Sequence, residues 1–241
     1  MVCEMMNGNI KDYINKSAAN RLRLQLVREP PSCTADVLTH FSQLSQVAMG
    51  LRRLHEHEIV HGDLKRVRLS PPISVFSKNS QENILITNET LARACLADFR
   101  LSTLTPSVPG QMTTTTAGGT PLHMALEMLN PGKFGKTNSR PTQPADIYAL
   151  GMVIYEVLTG FYPFREQFAT YQLVFLVVCG ARPTKPDNAE EIGFGNGTWE
   201  LVKECWREKS TRGPTVERVL VHLARVSESS EVQLRLKHAW R

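Results

Sequence analysis

The sequence predicts an α+β domain that is mainly α. Three observations carry this. Apolar residues recur at helical spacing in several segments, one pair of short strand-like runs flanks a turn, and a long connection is rich in Thr, Pro and Gly. Leu44, Val47, Ala48, Leu51 and Leu54 fall at i, i+3, i+4, i+7 and i+10, one apolar face of a helix ending near His55. Next, "ILIT" at 84–87 and "ACLADF" at 94–99 are separated by "TNET" and read as a small hairpin. Residues 102–119 have little apolar content and read as a long mobile loop, of the kind that is usually functional or disordered. Residues 144–159 are apolar almost all round, which predicts a central buried helix. Trp199, Val202 and Cys205 share a helical face. Val216, Val219, Leu220, Leu223 and Val226 repeat the amphipathic pattern, with Pro214 suited to a first turn.

Bulk properties narrow the class. A chain of 241 residues accommodates one large domain or two small ones. With 41% apolar and 21% charged residues it is neither disordered throughout nor fibrous. A net charge of +5 is mildly basic, and no dense Lys/Arg block with interleaved aromatics occurs, so no nucleic-acid partner is expected. Five cysteines, an odd count without CxxC spacing, suggest neither a disulfide framework nor a zinc site, and a reducing compartment follows. The opening "MVCEMMNGNI" lacks the features of a signal peptide. The longest apolar stretches are short or interrupted by Asp146 and Glu156, so no membrane span is expected. The expected setting is soluble and cytoplasmic.

The chemistry lies in an ordered series of short motifs. His61-Gly62-Asp63-Leu64-Lys65 is followed by Asn83 and by Ala97-Asp98-Phe99. Gly119-Thr120-Pro121 and Met124-Ala125-Leu126-Glu127 come next, then "DIYALGMVIYEVLTGFYPF" from Asp146 and "ECWREKSTRGPT" from Glu204. Each is weak alone; a His-x-Asp triplet is most often just a polar loop. In this order the sequence resembles a protein kinase, and within that superfamily the tyrosine kinase-like Ser/Thr branch. The resemblance covers residues 1–226 and leaves 227–241 as a tail. It implies the larger, mainly helical lobe of the kinase fold with a small β-hairpin, and Mg-ATP-dependent phosphoryl transfer to protein hydroxyls.

It also implies roles. Asp63 would orient or accept the proton of the substrate hydroxyl. Asn83 and Asp98 would hold magnesium ions that bridge the ATP phosphates. Lys65 would offset charge on the moving phosphoryl group; Lys65 and Thr120 both lean toward Ser/Thr specificity. Glu4, Met5 and Met6 match the hinge whose backbone meets adenine. Asp146 would brace the catalytic loop, and Glu127 would be structural. Gly62 stands where many kinases carry an Arg that clamps an activation-loop phosphate, so phosphorylation within Thr113–Thr116 would lack that partner.

Four departures qualify the expectation. The chain opens at the hinge, so the smaller lobe is expected to be largely missing. Arg100 replaces the permissive glycine after Asp98-Phe99. Leu126 replaces the proline before Glu127, and Gly213 replaces the arginine expected to pair with Glu127, Arg212 lying one place early; that buried ion pair is expected to be strained or lost. Finally, Asp63 and Asn83 are 20 positions apart, where the family has five. Removing residues 67–81 restores a regular catalytic loop, and removing 27–43 joins "RLRLQL" to "LSQVAMGLRRLH" in one helical pattern. Both segments begin Val-Arg, end Ser-Gln and are in frame, so they read as retained introns; the alternative is two surface insertions. A lengthened tether between Asp63 and Asn83 is expected to impair catalysis, because displacements of ~1 Å can cost on the order of 100-fold in rate. Besides the kinase, the sequence leaves open a catalytically inactive, protein-binding scaffold or a mis-spliced product.

Overall fold

The computed structural model describes residues 34–64, 83–86, 94–97, 102–104, 121–164 and 170–228. Its first helix, α1, spans Thr34–Glu56 and so begins ten residues before Leu44. The extension follows from side chains that continue the apolar face: Val37 and Phe41 precede Leu44, Ala48 and Leu51, and all five are buried. Along this stretch Val37, His40, Phe41 and Gln43 face the core, while Thr39 and Ser42 face outward. The helix closes with His57 N–H donating to Leu54 O and Glu58 N–H donating to His55 O, Glu58 itself being left-handed at φ 58°.

Two short antiparallel pairs follow. β1 (Ile59–Val60) pairs with β4 (Thr103–Leu104), in register Ile59 with Leu104. β2 (Ile84–Ile86) pairs with β3 (Ala94–Leu96), in register Ile84 with Leu96, so the expected hairpin forms. The β4 strand falls inside the segment read as a long loop; its backbone is taken up by the chain just before the His61 turn. Gln46 of α1 accepts from the Ala94 amide at 2.6 Å, fixing the hairpin against that helix.

After a single turn at Pro121–His123 and α2 (Leu126–Leu129), the central helix α3 covers Gln143–Thr159. Thr142 caps it by accepting from the Ala145 amide, Pro144 occupies its first turn, and left-handed Gly160 (φ 70°) ends it. Nearly every α3 side chain is buried, as its uniform apolarity predicts. The remaining helices are α4 (Thr170–Val178), α5 (Asn196–Cys205) and α6 (Val216–Glu228). α6 lays its apolar face on α1, and α5 packs on α3. At the α3–α5 crossing, Gly151 admits close approach: a Cβ there would stand 2.7 Å from Cys205 Cβ and 2.8 Å from Trp206 Nε1. Around it Tyr155, Phe194, Trp199 and Trp206 meet edge-on or tilted at 5.6–5.9 Å. Arg182 braces this corner, donating to the carbonyls of Trp206 and Ala181 and lying over the Tyr148 ring. Among the described residues no helix is long and apolar enough to cross a membrane.

Candidate active site

The segment 61–64 leaves β1 and passes over the first turn of α3, where Asp146 organises it. This carboxylate is almost completely buried. It accepts from the amides of His61 and Gly62, each at 2.9 Å, and from the ring of His55 at 2.9 Å. A buried carboxylate needs such partners, and here two of them are the backbone of the predicted catalytic loop. Gly62 takes φ 77°, a left-handed conformation that glycine adopts without steric cost. His61 is fully buried. Its Nε2 lies 3.2 Å from Ala97 O, which can only accept, so Nε2 carries the proton and Nδ1 faces the Asp63 amide at 3.4 Å. Ser102 Oγ donates to His61 O at 3.1 Å, closing the turn from the β4 side.

Asp63 and Asn83 meet. Asn83 Nδ2 donates to Asp63 Oδ2 at 3.0 Å and also to the Asp63 carbonyl. Asn83 is held from behind by the hairpin, its own carbonyl accepting from the Ala97 amide at 2.8 Å. The contact forms although Asn83 lies 20 positions beyond Asp63 in the chain. Each partner is anchored on its own scaffold, and quadrupling the length of a flexible tether adds only about 1.2 kcal/mol of closure cost. With Nδ2 committed to Asp63, Asn83 Oδ1 is buried and has no hydrogen-bond partner among the described residues. A buried, unpartnered amide oxygen beside a carboxylate is an oxygen donor of the kind that suits a hard cation such as magnesium. Lys65, Asp98, Glu4, Met5, Met6 and Arg100 lie outside the described residues, as does the Thr113–Thr116 run.

Next to Asp63 is a small open cleft lined by Gly62, Asp63 and Leu64, by His123, Met124 and Met128, and by Ala145, Asp146 and Ala149 of α3. His123 was not singled out by the sequence. It follows Gly119-Thr120-Pro121 and belongs to no recurring pattern, and its partner is 33 positions away: Glu156 Oε2, 3.4 Å from Nε2, both side chains buried. Below the cleft, Glu127 is also buried, and the hydroxyl of Ser210 donates to its Oε1. Arg212 is exposed, with its carbonyl accepting from Arg207. The ion pair expected to be strained or lost is thus replaced by a neutral hydroxyl, and Glu127 Oε2 has no partner among the described residues.

Comparison with known proteins agrees with this geometry. The protein kinase domain pattern matches residues 1–223. A probable LIM domain-containing serine/threonine-protein kinase of Dictyostelium discoideum is 28% identical over 196 residues, covering 80% of this chain and 25% of that protein. A serine/threonine/tyrosine-protein kinase of Arabidopsis thaliana is 23% identical over 227 residues, 93% of this chain and 46% of that protein. Mitogen-activated protein kinase kinase kinase 4 of Mus musculus is 30% identical over 152 residues, 61% of this chain and 8% of that protein. The chain therefore spans less than half the length of each of these relatives. The match along nearly its whole length makes this chain a member of the protein kinase family.

Proposed function

We propose that the chain carries the catalytic half of a Ser/Thr protein kinase of the tyrosine kinase-like branch, transferring phosphate from ATP to hydroxyls of protein substrates. The observation that carries this reading is the Asp63–Asn83 contact with Asn83 Oδ1 left unpartnered. In it, Asp63 orients the acceptor hydroxyl and takes its proton. Asn83 holds magnesium through Oδ1, with Asp98 as second ligand, and the cation supplies charge neutralisation for the ATP phosphates. Asn83 Nδ2 also keeps the Asp63 carboxylate turned toward the cleft. Lys65 offsets charge on the transferred group, and the backbone of Glu4, Met5 and Met6 meets adenine.

The test is two-part. Thermal shift with Mg-ATP should stabilise the wild-type chain and not N83A. Transfer of labelled phosphate to a generic protein substrate should be seen with wild type and abolished in D63A. Absence of both signals overturns the reading. Arg100, in the place of a permissive glycine, favours a second reading, a pseudokinase that binds protein partners; it predicts that R100G, and not wild type, gains the Mg-ATP shift. The two in-frame segments support a splicing origin. Excising 27–43 would bring Leu24 to the position of Phe41 and Leu26 to that of Gln43, preserving an apolar face. Transcripts lacking both segments would uphold that origin, and transcripts containing both would end it.

A further inference from the structure

The Pro121–His123 turn and α2 line one wall of the cleft, and one buried pair ties them to the central helix. His123 is 6% exposed and Glu156 3% exposed, and they stand 3.4 Å apart. That separation is an ion-pair distance, yet longer than the 2.7–2.9 Å typical of a charge-assisted hydrogen bond. Among the described residues neither ring nitrogen of His123 nor Oε2 of Glu156 makes a hydrogen bond. Two interior polar groups with unmet capacity face each other, so the contact gains from whatever adds a donor and a charge. A proton on the imidazole does both.

We propose that His123 and Glu156 form a proton-operated brace that sets the position of the cleft wall carrying Met124 and Met128. When the ring is charged, imidazolium and carboxylate draw together and hold the 121–123 turn down on α3. When it is neutral, one ring nitrogen has lost its proton, the attraction falls, and the wall relaxes away from α3. His123 is thus a positioning residue, acting on the cleft through the turn that it anchors. Histidine is the side chain whose charge changes most readily near neutrality, so the same position filled by an aromatic would lack the switch.

The surroundings leave Glu156 as the determinant. α3 brings Asp146, Tyr148 and Tyr155 as well as Glu156; the catalytic loop brings His61 and Asp63, and α2 brings Glu127. α4, which also packs on the turn, has no charged residue, and Tyr171 is its one titratable residue. Asp146 is already committed to three donors and Glu127 to Ser210. Only Glu156 lies within ion-pair distance of His123 among the described residues.

The consequence for substrate rests on the phosphoryl-transfer reading, but the brace is testable without turnover. The methyl groups of Met124 and Met128, labelled with ¹³C and assigned through M124L and M128L, report on the wall while the imidazole signals are followed from about pH 5 to 8.5. Both methyl signals should move with the midpoint of His123 in the wild-type chain. H123Q should abolish that movement, and E156Q should shrink it. The proposal is overturned if the methionine signals ignore the His123 midpoint, or if they titrate unchanged in H123Q. E156Q supplies the same comparison should H123Q fail to fold. A chain that neither binds Mg-ATP nor transfers phosphate yet shows the coupled titration would refute the kinase reading and leave the brace intact.

Discussion

Replacing Asp146 tests how the catalytic loop is held. In D146A three donors lose their acceptor at once: the amides of His61 and Gly62, and the His55 ring. His61 is fully buried, so its amide cannot turn to bulk water. Each stranded buried donor costs about 1–3 kcal/mol, while removing the buried charge relieves part of its own desolvation. The net loss expected is about 3–5 kcal/mol, a large share of the 5–15 kcal/mol typical of a domain. D146N keeps the shape and one acceptor oxygen but turns an NH₂ toward one of the donors, so a smaller loss of about 2 kcal/mol is expected. Urea unfolding, followed by tryptophan fluorescence at constant m-value, gives both differences. A loss below about 1 kcal/mol for D146A, or an asparagine variant no more stable than the alanine one, would refute the claim that this carboxylate organises the loop.

Four further outcomes are expected. G151A should lose about 2 kcal/mol in the same unfolding assay, because its Cβ meets Cys205 and Trp206 inside contact distance; an unchanged midpoint would mean that the α3–α5 crossing yields freely. S210A should lose about 2 kcal/mol by leaving both oxygens of buried Glu127 unpartnered, and equal stability of the two chains would show that the hydroxyl is dispensable. Burial, with Arg218 and Arg225 beside it, holds His222 below its usual range, so the unfolded chain binds the extra proton first and stability falls as pH drops through 6.5. H222Q should flatten that decline, and a parallel decline in both chains would assign it elsewhere. Burial pushes the Cys205 thiol up to about 12, whereas Cys179 is exposed, so iodoacetamide on the folded chain should modify Cys179 and spare Cys205 by peptide mass spectrometry; rapid loss of Cys205 would contradict its packing.

What the sequence discloses depends on how local the physics is. α3 was legible because it is apolar almost all round, α6 because its apolar residues repeat every turn, and Ile84–Ile86 with Ala94–Leu96 because a turn separates two strand-like runs. The start of α1 was hidden by His40 and Gln43, polar residues that the fold buries among Val37, Phe41 and Leu44. Strands of two residues, such as β1 and β4, carry no periodicity, so their pairing depends on tertiary placement alone. The order of motifs named Asp63 and Asn83, but their spacing did not disclose how they meet. What brings them together is Asp146 on one side and the hairpin on the other, neither of which spacing can express. His123 had no motif at all, since its meaning lies in one partner on another helix.

The separate anchoring of Asp63 and Asn83 also bears on how the chain tolerates being cut. Asp63 follows a loop pinned to α3, and Asn83 opens a strand zipped to its neighbour, so covalent continuity through 65–82 is not what aligns them. A nick in that span leaves both ends of the site fastened to the same core. Two polypeptides, one ending near Leu64 and the other beginning near Asn83, are therefore natural partners for fragment complementation. α1 in the first piece and α6 in the second supply the broad apolar seam along which they would reassemble.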